Sequence, residues 1–303
     1  MRMQKAFLRG SVAVIGLVAC GFASAETTIC TAITQGMLPY VIATPGIYCV
    51  NQKLTTNMSS GAAITINASN VVLDLNANAI GNLLAPALTT TAIGVLANSR
   101  QNVTVQNGIV RGFWIGIALV DLAAPGTASG NAVHGITSDQ SRAVGIFVEG
   151  SGSAVRNSRV VATNGSTAMN SLFGSGPPSI SNGIDISGAG AQVIGNEVID
   201  TDCTNGCPSV SGTIGIEVFN APGAVVWQNR VVNGAMATAT TSQAISIEPT
   251  SPHSFVDYNY LAGYSQGLVF GSNGTPSDGK YRSTLTNNVT TPYTGGTAVG
   301  TNN

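Results

Sequence analysis

Short apolar runs alternate with Asn and Gly along this chain, and one unit of that pattern is restated many times. Residues 102–119, NVTVQNGIVRGFWIGIAL, read as a strand, an Asn-Gly corner, a second strand, a Gly-Phe corner and a third strand opening at Gly116-Ile117. The runs are β-branched and interrupted every few residues, which leaves no room for a helix of useful length. VGIFVEGSGSAVRNSRVV, NGIDISGAGAQVIGNEVI, IGIEVFNAPGAVVWQNRVV and QAISIEPTSPHSFVDYNYL restate it further on.

Two sets of anchors give the repeat its period. Aligning the strands that read Gly-apolar-x-apolar brings Gly94, Gly116, Gly145, Gly183, Gly215, Ala244 and Gly267 into one column, at spacings of 22, 29, 38, 32, 29 and 23 residues. An Asn follows each of the first six by 12 to 15 residues: Asn107, Asn131, Asn157, Asn196, Asn229 and Asn259. Asn tolerates left-handed backbone at a corner, and stacked Asn side chains can bond along a ladder. A period in this range signals a solenoid.

Three strands per turn predict an all-β right-handed parallel β-helix, a solenoid of about eight rungs. The runs VVLDLNANAI and NVTVQNGIVRGFWIGIAL resemble the opening rungs of secreted β-helix proteins of the pectate-lyase-like superfamily. The resemblance covers roughly Thr44 to Asn288 and speaks to fold, since this scaffold hosts lyases, hydrolases, epimerases, adhesins and non-enzymes alike. A β-sandwich would suit the strand spacing but would not produce paired Gly and Asn anchors.

The expected layout is a leader over 1–25, an N-terminal cap over 26–60, the coil over 61–290 and a flexible tail over 291–303. Arg2, Lys5 and Arg9 precede an apolar stretch too short to span a membrane. Cleavage after Ala23-Ser24-Ala25 would start the mature chain at Glu26. Leu17-Val18-Ala19-Cys20 instead resembles a lipobox and would leave Cys20 lipidated. Both readings export the protein. The cap is atypical in sequence, as a segment that closes the open end of a stacked core must be.

Composition narrows the picture. Charged residues are 8% of the 303, apolar residues 44%, and the net charge is −1. So neutral a surface offers nothing to nucleic acid, which needs clustered Lys and Arg. Cys30, Cys49, Cys203 and Cys207 form an even set in an exported chain, and local pairing, Cys30 with Cys49 and Cys203 with Cys207, is the simplest of three connectivities. Zinc ligation lacks partners, because the chain has only His134 and His253.

Candidate chemistry follows from alternation. Residues two apart share a strand face, so Ile146, Ile184, Ile216 and Ile245 should point inward and their successors outward. The first outward column then reads Leu96, Ala118, Phe147, Asp185, Glu217, Ser246, Val269, and the next reads Asn98, Val120, Glu149, Ser187, Phe219, Glu248, Gly271. Asp185 and Glu217 fall on neighbouring rungs, ~4.8 Å apart by strand spacing. Glu149 and Glu248 lie diagonally, and Phe147 and Phe219 interleave. Such a pair matches the carboxylate separation of a retaining glycosidase, and like charges should raise one pKa. Aromatic faces beside it suit sugar rings. A Ca²⁺ ion between the two carboxylates is a middle option, and a merely solvated sheet face is the plain one.

The β-helix resemblance implies a basic catalytic residue for lyases, and paired Asp with Gly-His-Gly for polygalacturonase-like hydrolases. Neither pattern is present, so no catalytic residue carries over. His134, counted from Asn131, falls in the column of Val110, Val160 and Ile199 and should be packed. His253 sits in a Pro-flanked loop without an evident partner. The expectation is an exported, disulfide-stapled module contacting polysaccharide or cell-envelope glycan through a non-catalytic face. The alternative is a carbohydrate-active enzyme, hydrolase or lyase, working through Asp185 and Glu217.

Overall fold

A computed structural model describes residues 29–173, 181–204, 207, 212–234, 241–271 and 275–302. The expected leader with Cys20 lies outside the described residues, as do parts of the two long insertions before Asp185 and Glu217. Every strand pair is parallel, and the chain winds as a right-handed β-helix. Ten strands stack into one sheet, among them Ile93–Asn98, Ile115–Val120, Val144–Val148, Ser181–Ser187, Gly212–Phe219, Thr241–Ile247 and Gln266–Phe270. Eighteen more form a second sheet folded at a corner into two faces. Ala154–Arg156 pairs with Gln192–Ile194 before that corner, and Arg159–Val161 pairs with Glu197–Ile199 after it.

The tube is filled as alternation requires. Ile117, Ile146, Ile184, Ile216 and Ile245 are fully buried in one continuous core with the Val and Leu of the other two faces. The glycine column has a steric cause. A Cβ on Gly94, Gly116, Gly145 or Gly183 would stand 2.4–2.5 Å from the carbonyl oxygen of the equivalent glycine one rung on. The glycine also breaks the alternation. Ile115 packs with Trp114, Ala118 and Phe147 outside the tube, whereas Ile117 and Leu119 belong to the core. Residues one before and two after each glycine therefore share the outer face.

The six Asn anchors divide into three roles. Asn107 and Asn157 hold the left-handed corner, with φ of 56° and 47°; Gly135, Gly195, Gln228 and Tyr258 hold it on other rungs, also at positive φ. Asn196, Asn229 and Asn259, one position further on, form the buried ladder, with Nδ2 of Asn196 and of Asn229 each donating 3.0 Å to the Oδ1 of the next. Asn131 belongs to a different corner, where its Oδ1 accepts from the Val103 amide. Counting from Asn131 therefore misplaces His134, which is exposed and pairs in register with Gln106 and Arg156. The residue beside Val160 is Ser138, fully buried.

Strand pairing also runs beyond the expected ends of the coil. Tyr40–Ile42 pairs with Ala62–Ile66, and Thr31–Ile33 pairs with Gly46–Val50, so the cap segment supplies a rung of its own. Cys30–Cys49 ties it, and Cys203–Cys207 closes the loop before Glu217. At the far end Thr291–Thr294 and Thr297–Ala298 pair with the preceding rung, so the segment expected as a tail is strand for part of its length. Phe270, Tyr281 and Tyr293 stack there at 5.9 and 5.1 Å and cover the open end of the core. No helix among the described residues is long and apolar enough to cross a membrane.

Candidate functional site

The register places Leu96, Ala118, Phe147, Asp185, Glu217, Ser246 and Val269 in one outward column, rung by rung. Asp185 and Glu217 are direct partners. Ser187 faces Phe219 in the second column. The six residues singled out by sequence thus come to one side of one sheet.

That side is not the open face alternation suggested. Ala118 and Val120 are fully buried, Phe147 is nearly so, and Asp185 is 8% exposed. The cover over the first rungs is the insertion after Val161, which folds back across the sheet. Phe173 packs tilted against Trp114 at 5.6 Å and Phe147 at 5.9 Å, and Phe219 adds a further ring 6.1 Å from Phe147. Asn170 fastens this strap by donating from Nδ2 to the Thr91 carbonyl at 2.9 Å.

Asn182 joins the two carboxylates. It stands one position before the glycine of its rung and so projects outward with Asp185. Its Nδ2 reaches Asp185 Oδ2 at 3.3 Å and Glu217 Oε2 more closely. Asn182 is 1% exposed, and its Oδ1 and Asp185 Oδ1 have no partner. Strict alternation points Asn182 into the core. The glycine after it was the signal that could have found it.

Burial raises the pKa of Asp185 well above the usual carboxylate range, and the charge of Glu217 adds to the effect. Glu217, more open, is pushed up to about 7 by burial, against the lowering effect of the Asn182 bond and with a raising contribution from Glu248. Burial thus favours the protonated form of both carboxyls, which titrate as a pair. Glu149 is raised by burial first. Its Oε2 accepts from the Asp121 amide at 2.7 Å, and it lines a cleft of about 270 Å³ with Asp121, Ser187 and Asn220. Glu248 accepts from Ser246 Oγ at 3.2 Å. Among the described residues no group of three or more His, Cys, Asp or Glu is placed to hold a metal ion.

The remaining candidates have structural partners. His253 Nδ1 meets Asp278 at 2.8 Å, a partner 25 residues away on the next rung that sequence did not reveal. Arg159 and Arg230 share Glu197.

No family model matches the chain, and no curated protein matches it in sequence. Solved structures do share its coil. The A-module of Azotobacter vinelandii mannuronan C-5 epimerase AlgE6 is similar with a TM-score of 0.52 at 10% identity, covering 85% of this chain and 83% of that one. The AlgE4 A-module gives 0.44 at 10% identity, over 87% and 80%. The catalytic domain of a GH87 α-1,3-glucanase in complex with tetrasaccharides gives 0.32 at 14% identity, over 93% and 70%. At these identities the likeness concerns the fold.

Proposed function

We propose that this is an exported protein acting on polysaccharide, with Asp185 and Glu217 as the acid/base pair of a glycoside hydrolase. One observation carries the reading: two carboxylates on adjacent rungs of one outward column share the amide of a buried Asn, and burial raises the pKa of both. Paired groups whose surroundings hold a proton at neutral pH are what acid-catalysed glycoside cleavage requires. Glu217, the more open of the two, meets the glycosidic oxygen and gives it a proton as the C–O bond breaks. Water supplies the hydroxyl that closes the anomeric carbon, and its remaining proton returns to the pair. Phe219 offers a ring face to the sugar, with Phe147 packed behind it, while Glu149 and Glu248 flank it. Two disulfides suit an oxidising compartment, and the same coil carries a mannuronan C-5 epimerase module.

The near-closure of Asp185 favours a second reading, a glycan-binding module whose acidic pair is never presented to a scissile bond. A Ca²⁺ ion bridging the pair would belong to either reading. A panel of polysaccharides assayed for new reducing ends and for unsaturated products separates them. Hydrolysis that Glu217→Gln and Asp185→Asn both abolish supports the first reading. Binding without turnover, unchanged in both variants, supports the second.

A further inference from the structure

A cleft on the same outer sheet lies away from the acidic pair. It encloses about 580 Å³ at the first rungs of the coil, with Ser60, Thr65, Thr91, Leu96, Asn170 and Leu172 among its lining residues. Strand Ala62–Ile66 and strand Ile93–Asn98 form its floor, and the strap over Met169–Leu172 forms one wall. No lining residue is charged.

Register connects this cleft to the pair. Thr65, Leu96, Ala118, Phe147 and Asp185 occupy successive rungs of one column. Leu96 is therefore three rungs from Asp185, ~14 Å at the usual strand spacing. The surface between them is the aromatic group of Trp114, Phe147 and Phe173. Hydroxyls and one amide on an apolar lining are the mix that fixes an uncharged polar ligand. Anionic ligands meet Asp185, Glu217, Glu149 and Glu248 further along with no Lys or Arg in either column, and like charge placed against a ligand rejects it.

We infer that the cleft beneath the strap is a distal subsite for neutral sugar residues, so that the protein takes uncharged glycan chains lying along the coil axis and refuses polyuronates. The inference rests on the polysaccharide reading above. Calorimetry on the full mature chain tests it with tri- and hexasaccharides of neutral glucans, xylans and mannans, and with oligogalacturonate and oligomannuronate. The expected result is a neutral hexasaccharide bound about tenfold tighter than its trisaccharide, equivalent to ~1.4 kcal/mol. Thr65→Trp, which fills the cleft, and Leu96→Arg, which charges it, should each remove that length advantage and leave trisaccharide binding within about twofold. Thermal unfolding identifies either variant that fails to fold, and the other then decides. A length advantage that survives in a folded variant, or tighter binding of the uronates, overturns the subsite while leaving glycan handling intact. Wild-type protein that neither binds nor cleaves any glycan overturns the polysaccharide reading itself, and the subsite with it.

Discussion

The outer face of the ten-stranded sheet has two unlike halves built on one inner wall. Over strands Ile93–Asn98 to Val144–Val148 the first outward column carries Leu96, Ala118 and Phe147, and the strap with Phe173 packs on this apolar side. Over strands Ser181–Ser187 to Thr241–Ile247 the same column carries Asp185, Glu217 and Ser246. Inside, one fully buried aliphatic column, Val95, Ile117, Ile146, Ile184, Ile216 and Ile245, runs through both halves. The tube therefore sets where outer residues stand, and leaves open what they are. Stability and chemistry are written on opposite sides of the same strands.

Substitutions should separate the two layers. The largest effect belongs to the wall common to both halves. Gly145→Val and Gly183→Val would each place a Cβ about 2.5 Å from the carbonyl of the next rung. Each is expected to cost more than ~4 kcal/mol, the range of exceptional single substitutions, and to remove cooperative unfolding by circular dichroism. Unequal losses would mean that the halves differ inside as well. Next comes the apolar half alone. Trp114→Ala removes the ring under Phe173, and a loss of about 3 kcal/mol in denaturant titration is expected, with faster proteolysis between Thr163 and Phe173.

In the acidic half the corresponding change should appear in turnover. Glu217→Gln is expected to lower glycan hydrolysis on the order of 100-fold, the lower end of what a general acid contributes, while the protein unfolds no more easily. The same half should titrate. An ordinary carboxyl near 4.5 in the unfolded chain, raised to about 7 in the fold, means that the native state binds more protons between those values. Stability is therefore highest below pH 4.5 and falls as the pH rises through 7. The drop is at most about 3 kcal/mol, less what solvent reaching Glu217 removes. Glu217→Gln should remove this group's part of the pH dependence and leave that of Asp185, whereas Trp114→Ala should only displace the curve. The smallest effect is Asn170→Ala, which loosens the strap by about 1 kcal/mol through the bond from Nδ2 to the Thr91 carbonyl and the one Oδ1 accepts from the Leu172 amide. It should raise hydrogen exchange at Leu172 without altering the pH curve.

Much of this was legible in the chain. The glycine column fixed the register, because at Gly94, Gly116, Gly145 and Gly183 a Cβ would meet the neighbouring carbonyl, and register alone brought Asp185 beside Glu217. What escaped did so for local reasons. A period of two cannot show that the glycine lets Asn182 face outward. Asn serves three kinds of corner, so Asn131 was counted with the wrong set and His134 with it. The strap packs through Phe173 onto rungs some 60 residues earlier, a contact that no periodicity encodes. The terminal strands carry Thr, Pro and Tyr where the central ones carry Ile and Val, so their pairing is visible only through their neighbours.

The spacing between successive glycines varies from 22 to 38 residues, yet every rung keeps its place in the stack. Length is absorbed at the corners, so new segments can be grafted there without disturbing the pitch. A molecule built this way can change what it recognises by exchanging one bend for a longer one, its spine carried over intact.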